Sequence, residues 1–213
     1  MGVLSSFLCR EMQALDNNSS PQASLTFLRS LVRRFGRLLL CSAFLLLAPA
    51  VLHAQTKEYQ VKAAFLFNFA QFVTWPETSF TNAEQPFQIG VLGSNPFGKG
   101  LAETVRGETI HGRPMVIQES RRAETLANCQ IVFICNSEAG HVDEILTTLG
   151  SKPVLTVSEI PGFANRGGVI NFYREGTKVR FEINPDAAGK KSLKVGSELL
   201  SLGKIVHPEA ASK

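Results

Sequence analysis

Two cysteines and three histidines follow residue 54, and they are the first candidates for a nucleophile, a base or a soft metal ligand: Cys129, Cys135, His111, His141 and His207. A cysteine hydrolase needs a thiol beside a histidine base, for which Cys135 with His111 or His141 would have to serve. The histidines lack the spacing of a metal site, and the Gly-x-Ser-x-Gly motif is absent. The sequence therefore predicts a protein that is not an enzyme and that uses no metal or cofactor.

The two cysteines border an apolar run, Gln130–Cys135, that is typical of a strand covered on both faces of a parallel sheet. On an extended strand Cys129 and Cys135 would lie about 20 Å apart. A disulfide requires a Cα separation below about 7 Å, so the two thiols cannot pair with each other. We expect buried thiols, unless one of them bonds to a second subunit. Both are redox candidates, and Cys135 ends its strand, where α/β folds bind ligands.

A glycine-containing turn, Gly93–Gly98, separates a predicted strand at Phe87–Leu92 from a predicted helix at Lys99–Val105. Strand, turn and helix in this order can form an anion site at the helix N-terminus. The spacing matches neither the P-loop nor the dinucleotide-binding motif, so a plain tight turn is the favoured interpretation. Asn95 and Phe97 are candidates for contact with a ligand or partner.

The stretch Gly162–Asn184 combines three glycines with two strand-forming runs, Val169–Arg174 and Lys178–Asn184. The connection Glu175-Gly176-Thr177 predicts a β-hairpin, because a short polar segment with glycine joins apolar and β-branched runs. The second run alternates apolar and charged residues, which gives it one core face and one solvent face. The alternative is structural: the glycines shape a bend and the hairpin arginine pairs locally. The candidates for binding a ligand or partner are Arg166, Gly167, Gly168, Asn171, Arg180 and Glu182.

Strands and helices alternate along the chain. Residues Lys57–Thr74 predict a helix buried over most of its surface, with a partner-binding aromatic patch as the alternative. Its apolar stripe consists of Val61, Ala64, Phe65, Phe69 and Phe72, and Ala63, Leu66 and Phe67 widen it. Further strands are predicted at Met115–Gln118 and Val154–Val157, and further helices at Ser137–Leu149, capped by its first residue, and Leu193–Ile205. The pattern indicates an α/β fold, a mostly parallel sheet flanked by helices, with the antiparallel hairpin near the C-terminus at one edge.

The N-terminal segment, residues 1–54, is predicted to be a leader with a secretory signal peptide. Four arginines precede a charge-free apolar run, Leu38–Leu52, and the small residue Ala54 follows it. The run is short for spanning a bilayer, and an uncleaved anchor is the alternative. Residues 55–213 hold 17 basic and 16 acidic residues, which gives no electrostatic footprint for nucleic acid. We expect these residues to form one α/β domain in the periplasm.

Five runs together resemble the YfiR family: Tyr59–Pro76, Ile89–Gly98, Val154–Val157, Gly162–Phe172 and Val179–Asn184. The resemblance implies a periplasmic regulator without enzymatic activity, which represses a membrane diguanylate cyclase of the YfiN type by binding its periplasmic part. Release of that repression raises cyclic di-GMP and favours biofilm formation. Family members are described as homodimers with disulfides, but this chain has only two cysteines after the leader, so two disulfides cannot form within it.

A periplasmic receptor for a small ligand is the second hypothesis. The turn Gly93–Gly98 and the loop Gly162–Gly168 both follow predicted strand ends, so they could share one rim of the sheet. The sequence does not indicate which small molecule would bind. The two functions are compatible if the ligand binds two states of the protein with different affinity.

Overall fold

The structure, a computed structural model, describes residues 57–207 of the chain. The predicted leader, residues 1–54, lies outside the described residues, as do residues 55–56 and 208–213. The first described helix, α1, spans residues 57–72, and strand β1 follows it at Val73–Thr74. The other α-helices of this region are α2 (Gly100–Val105), α3 (Val142–Leu149), α4 (Pro185–Lys190) and α5 (Ser197–Leu202).

Eight of the described strands form one sheet in the order β10-β8-β7-β6-β5-β2-β4-β3. In that spatial order they span Lys204–Ile205, Lys178–Ile183, Ile170–Glu175, Leu155–Ser158, Ile131–Ile134, Phe87–Leu92, Arg113–Ser120 and Thr109–Ile110. Two pairs, β7 with β8 and β3 with β4, are antiparallel, and the other pairs are parallel. A further strand, β9 (Lys194–Val195), pairs antiparallel with β1. The chain therefore has the predicted class, a mixed α/β fold with a mostly parallel sheet flanked by helices.

Both faces of the central sheet are covered, and every residue of β5 and β6 is buried. On one face α1 packs over the hairpin, with the ring of Phe65 5.4 Å from that of Phe181 and 5.9 Å from that of Phe172. On the other face a second apolar cluster includes Val142, Ile145 and Leu149 of α3. Burial on two faces explains the continuous apolar run of β5. The aromatic residues at the middle of α1 belong to the core.

The buried face of α1 differs from the predicted stripe. Val61 and Ala64 are exposed, whereas Lys62 is only 3% exposed. The apolar residues that share the buried face with Lys62 are Ala63, Leu66, Phe69 and Ala70. The helical period is as predicted, and Ala63, Leu66 and Phe69 belong to the predicted apolar surface. The prediction was wrong for Val61 and Ala64, and it did not include Lys62.

The hairpin of β7 and β8 forms as predicted, since Glu175 pairs with Lys178 and only Gly176 and Thr177 connect them. Gly176 has a φ of 60°, and such a two-residue connection favours glycine because φ is positive there. In the described sheet the hairpin lies at the edge, as predicted, over Lys178–Phe181, whereas the two-residue strand β10 pairs with Glu182 and Ile183. None of the helices within residues 57–207 combines the length and hydropathy needed to span a bilayer.

The predicted helix at Leu193–Ile205 is correct only for its middle part, α5, because β9 and β10 occupy the two ends of the segment. Glycines flank α5 on both sides, and each lies close to the core. A Cβ on Gly203 would lie 2.7 Å from side-chain atoms of β8, and one on Gly196 would lie 2.9 Å from the carbonyl oxygen of Phe72. Close backbone approach, rather than helical periodicity, therefore determines the path of this segment.

Candidate functional site

An open groove of about 650 Å³ lies beside the start of α1, where residues that follow β5 and β6 meet β7, β8 and β10. We call it the charged groove because six of its lining residues are ionisable acids and bases: Glu58, Lys62, Glu159, Arg174, Glu182 and Lys204. Residues that follow parallel strands gather at one edge of a sheet, and α/β proteins commonly bind ligands there. Position and charge make this groove the leading candidate site.

Lys62 is the centre of a buried ion-pair network. Its Nζ donates to Oε1 of Glu58 at 2.6 Å and to Oε2 of Glu159. The side chain of Lys62 is 4% exposed, and those of Glu58 and Glu159 are 20% and 14% exposed. The second oxygen of Glu159 accepts from the hydroxyl of Tyr59 at 2.8 Å, and that of Glu58 accepts from Arg174 at 3.3 Å. Each acid thus has two donors, which is what charges at this depth require.

Tyr59 acts in this network as a fixed hydrogen-bond donor. Burial, the hydrogen bond to Glu159 and the negative charges of Glu159 and Glu58 raise the pKa of Tyr59 above its usual value. The Lys62 ammonium lies 4.6 Å from the centroid of the Tyr59 ring, within the range of a cation–π contact. The hydroxyl therefore keeps its proton and orients Glu159 by donating a hydrogen bond to it.

Asn171, one of the predicted binding residues, lines the charged groove and is 2% exposed. Its side-chain amide donates to the carbonyl oxygens of Ser158 at 3.3 Å and Ile160 at 3.0 Å. These two residues stand on either side of Glu159. Asn171 therefore holds the backbone that presents the Glu159 carboxylate at the end of β6.

Glu182, another predicted residue, also lines the charged groove and accepts from Nζ of Lys204 at 2.9 Å. This hydrogen bond raises the pKa of Lys204 above its usual value. The side chains of Lys204 and Arg174 are both 63% exposed, so they can meet a ligand or a partner. Three cations face three carboxylates in the groove, a balance that suits polar contacts but not a polyanion.

The predicted arginines Arg166 and Arg180 do not line the charged groove. Arg166 forms a two-point pair with Asp143 of α3, at 3.0 Å from Nε and 2.9 Å from Nη2. The hydrogen bond from Arg166 lowers the pKa of the Asp143 carboxyl. Arg180 donates to Glu175 at 3.1 Å across the hairpin. Both arginines are exposed and engaged in local pairs, which is the structural alternative considered for the hairpin arginine.

The adjacent glycines Gly167 and Gly168 shape the loop between β6 and β7. Gly167 has a φ of 98°, which disfavours any residue with a Cβ. A Cβ on Gly168 would lie 2.1 Å from the ring of Phe163, which is fully buried in the second core. The glycines therefore let the loop close over Phe163, while Gly162 at the start of the loop lines the charged groove.

Three backbone donors of the turn Gly93–Gly98, those of Gly93, Ser94 and Phe97, are bonded within the protein. The N–H of Ser94 donates to Oγ of Ser137 at 3.0 Å, and the N–H of Phe97 donates to Oδ1 of Asn95 at 2.8 Å. Ser137 consequently does not cap α3, which begins at Val142 after a 3-10 turn. These bonds describe the tight turn that the sequence favours over an anion site.

Asn95 and Phe97 occupy different environments. The amide of Asn95 donates to Glu119 at 2.7 Å, close to the surface. Phe97 is 7% exposed, and its ring lies 4.8 Å from that of Phe133 and 5.5 Å from that of Tyr59. Phe97 thus supports Tyr59 from the core side, whereas neither residue lines the charged groove.

Cys129 and Cys135 are free and buried, as expected of thiols on this strand. Burial raises the pKa of Cys129 to about 11. Burial and the negative charges of Glu159, Glu138 and Glu119 raise the pKa of Cys135 to about 12. Thiols that stay protonated are poor nucleophiles, so the arrangement gives no support to a cysteine hydrolase. Within residues 57–207 no cluster of His, Cys, Asp and Glu side chains is arranged to hold a metal ion.

The central residues of the charged groove were not among the predicted ones: Glu58, Tyr59, Lys62 and Glu159. Lys62 and Glu159 are separated by 97 positions in the chain, so no local motif links them. One signal was available. Glu58 and Lys62 stand four residues apart on a helix, and Lys62 lies beside apolar positions, so a buried lysine would call for a buried acid elsewhere.

Comparisons with known proteins place the chain in a family. The crystal structure of a conserved domain protein from Vibrio cholerae O1 biovar El Tor strain N16961 matches with 12% identity and a TM-score of 0.42. That match covers 56% of this chain and 54% of the other, so the chain spans about half the length of its structural match. No curated protein matches the chain significantly. The model of the YfiR/HmsC-like family matches residues 59–204, nearly all of the described region. The resemblance seen in the sequence is thereby confirmed, and the chain belongs to the YfiR/HmsC-like family.

Proposed function

We propose that this protein is a periplasmic regulator that represses a membrane diguanylate cyclase by contact with its periplasmic part, and so lowers cyclic di-GMP and biofilm formation. The match to the YfiR/HmsC-like family over residues 59–204 carries the proposal, because this is a family of periplasmic regulators and not of enzymes. The protonated, buried thiols of Cys129 and Cys135 are consistent with a protein that acts by binding.

The charged groove is the surface proposed to contact the cyclase. Arg174 and Lys204 are exposed at its rim, and each is held by an acid that is mostly buried, Glu58 or Glu182. Charged side chains held in this way give an interface orientation and specificity, and the partner would offer complementary polar groups. Arg166 and Arg180 stay proposed contacts outside the charged groove, because both side chains are exposed.

Deletion of the gene tests the regulatory function. The deletion strain should contain more cyclic di-GMP than the parent and form more biofilm, because the cyclase would lose its repressor. The wild-type gene supplied in trans should restore the parental level. Unchanged cyclic di-GMP after deletion would contradict the proposal.

Charge reversal tests the contact surface. Arg174→Glu and Lys204→Glu should fail to restore repression while the proteins accumulate and fold normally, because both side chains are largely exposed. Lys99→Glu is the matched control, since Lys99 is exposed and lies outside the charged groove. Full repression by both groove variants would move the contact surface elsewhere.

A receptor for a small polar ligand is the second candidate function, and the size of the charged groove favours it. A volume of about 650 Å³ lies within the range of small-molecule sites. Thermal-shift measurements with nucleotides and amino acids would test this function. A ligand that raises the melting temperature of the wild type but not of Lys204→Glu would support it, and the absence of any stabilising compound would count against it.

A further inference from the structure

A second groove, of about 570 Å³, lies away from the charged groove, at the amino ends of β2, β5 and β6. We call it the amide groove because five of its lining side chains are carboxamides: Gln85, Gln88, Gln118, Asn128 and Gln130. We propose that the amide groove binds a neutral saccharide. This inference is independent of the regulatory function proposed above.

The chemistry of the lining excludes most charged ligands. Four hydroxyl side chains, those of Thr78, Ser79, Thr81 and Thr125, accompany the five carboxamides. Lys152 is the one charged residue of the lining, and no carboxylate is present in it. Amines and metal ions would find no counter-charge here, and a phosphate would find a single lysine. A carboxamide offers a donor and an acceptor side by side, which matches the hydroxyl groups of a sugar.

The wall of the amide groove is fixed by a buried side chain. Gln130 is 1% exposed, its Oε1 accepts from the N–H of Gln88 at 2.8 Å, and its Nε2 donates to the carbonyl oxygen of Ser79 at 3.0 Å. The carbonyl oxygen of Gln130 accepts from Nε1 of Trp75 at 3.0 Å. One residue thus joins the start of β2, the segment after β1 and the strand β5, so the groove is built before any ligand arrives.

The rim is held by Arg113. Its Nη1 donates to the carbonyl oxygens of Asn82, Ala83 and Gln85 at 2.8, 2.9 and 2.8 Å. The Arg113 guanidinium also lies 4.1 Å from the centroid of the Phe80 ring. A guanidinium with three backbone acceptors and an aromatic contact fixes the loop that carries Thr81 and Gln85.

Several side-chain hydrogen-bond donors of the amide groove remain free for a ligand. Oε1 of Gln85 accepts from both the N–H and the hydroxyl of Thr81, at 2.6 and 2.9 Å, and this leaves its NH₂ directed away from that contact. Within residues 57–207 the amide nitrogens of Gln85, Gln88 and Asn128 have no hydrogen-bond partner. Oγ of Ser79 is buried without a partner in the same region. Polar groups collected in this way lose free energy unless a polar ligand or solvent meets them.

A saccharide fits this groove better than a peptide does. Peptides are bound through an open strand edge or through pockets for apolar side chains. The amide groove lies at strand ends between paired strands, and its apolar residues are Ala127, Pro153 and Val154 beside the buried Cys129, with no large apolar side chain among them except that of Val154. Neutral polyhydroxylated rings need neither feature, because their hydroxyl groups supply the contacts.

Isothermal titration calorimetry of the protein purified after expression of the whole chain tests the proposal. The probes are three neutral trisaccharides, cellotriose, maltotriose and chitotriose, with tetraglycine as a neutral peptide probe. At least one trisaccharide should bind with a saturable isotherm below about 10 mM. Gln118→Ala and Gln88→Ala should each weaken that binding about tenfold, because each removes a carboxamide that bonds the ligand.

Gln71→Ala is the matched control, since Gln71 is an exposed glutamine on α1 outside the groove, and its binding should equal that of the wild type. Gln118 is itself exposed, so its truncation should leave folding intact and keep the test decisive. Failure of all three trisaccharides to bind would overturn the proposal. So would binding that survives in both groove variants, or binding of tetraglycine in place of the sugars.

Discussion

Replacing the buried lysine of the charged groove should destabilise the whole domain. In Lys62→Met the methionine can fill the space of the aliphatic part of the lysine, so the main change is the loss of one ammonium group. Glu159 would keep the hydroxyl of Tyr59, and Glu58 would keep Arg174. The two carboxylates would then share a partly buried site without the cation that separates them.

The magnitude follows from the depth of the network. Breaking a fully buried ion pair by removing one partner costs about 3–5 kcal/mol, mostly because the other charge is left uncompensated. Here the acids are 14% and 20% exposed, and each keeps one donor, so we expect the lower end, about 3 kcal/mol. The double variant Lys62→Met, Glu159→Gln removes one stranded charge and should recover about 1–2 kcal/mol of that loss.

Urea denaturation followed by circular dichroism measures these free energies, with the m-value as a check that unfolding remains two-state. Lys57→Met is the matched control on the same helix, where the lysine is exposed, and it should change stability by less than about 0.5 kcal/mol. If Lys62→Met unfolded at the wild-type midpoint, or if the double variant were less stable than the single one, the network would not have the role assigned to it.

Three further predictions concern the loop, the thiols and the surface. Gly168→Ala should lower the free energy of unfolding by about 3 kcal/mol, because the new methyl group would overlap the Phe163 ring. Gly140→Ala, with open space around the residue, is the control and should leave stability unchanged. Equal urea midpoints of the two variants would refute the prediction. The free energy of unfolding should fall as pH rises above about 9, because the thiols of the unfolded chain then ionise while Cys135 in the folded protein stays protonated up to about 12. Cys135→Ala should make that fall less steep, and an equally steep fall in the variant would contradict the prediction. Arg166→Ala should leave the melting temperature unchanged, since the pair with Asp143 is solvent-exposed, and a large decrease would show that the pair supports the fold.

The sheet was predictable where one local pattern determines the structure. The run before Cys135 is apolar throughout because both faces of β5 are covered, and the alternation in Lys178–Asn184 gives β8 one buried face. The prediction of one helix over the C-terminal segment failed because the elements there are too short to show a hydrophobic period. Its path depends on Gly203 lying against the core side chains of β8, which is a tertiary contact.

The candidate site was predictable only in part. Asn171 and Glu182 belong to the hairpin that the sequence singles out, and both line the charged groove. The ion pair of Lys62 with Glu159 joins the first helix to a loop 97 positions later, and only the fold brings them together.

The two outermost strands of the described sheet, β3 and β10, are each two residues long. Long exposed strands at a sheet edge offer backbone groups to other chains and promote aggregation. In the described sheet β3 covers only Arg113 and Pro114 of β4, and β10 covers only Glu182 and Ile183 of β8. The rest of these two edges carries exposed charged side chains, Glu119 on β4 and Lys178 and Arg180 on β8, which oppose pairing with another chain. Any association between copies of this chain, or with a receptor, would then be governed by side-chain complementarity, which evolution can tune one residue at a time without risking fibril formation.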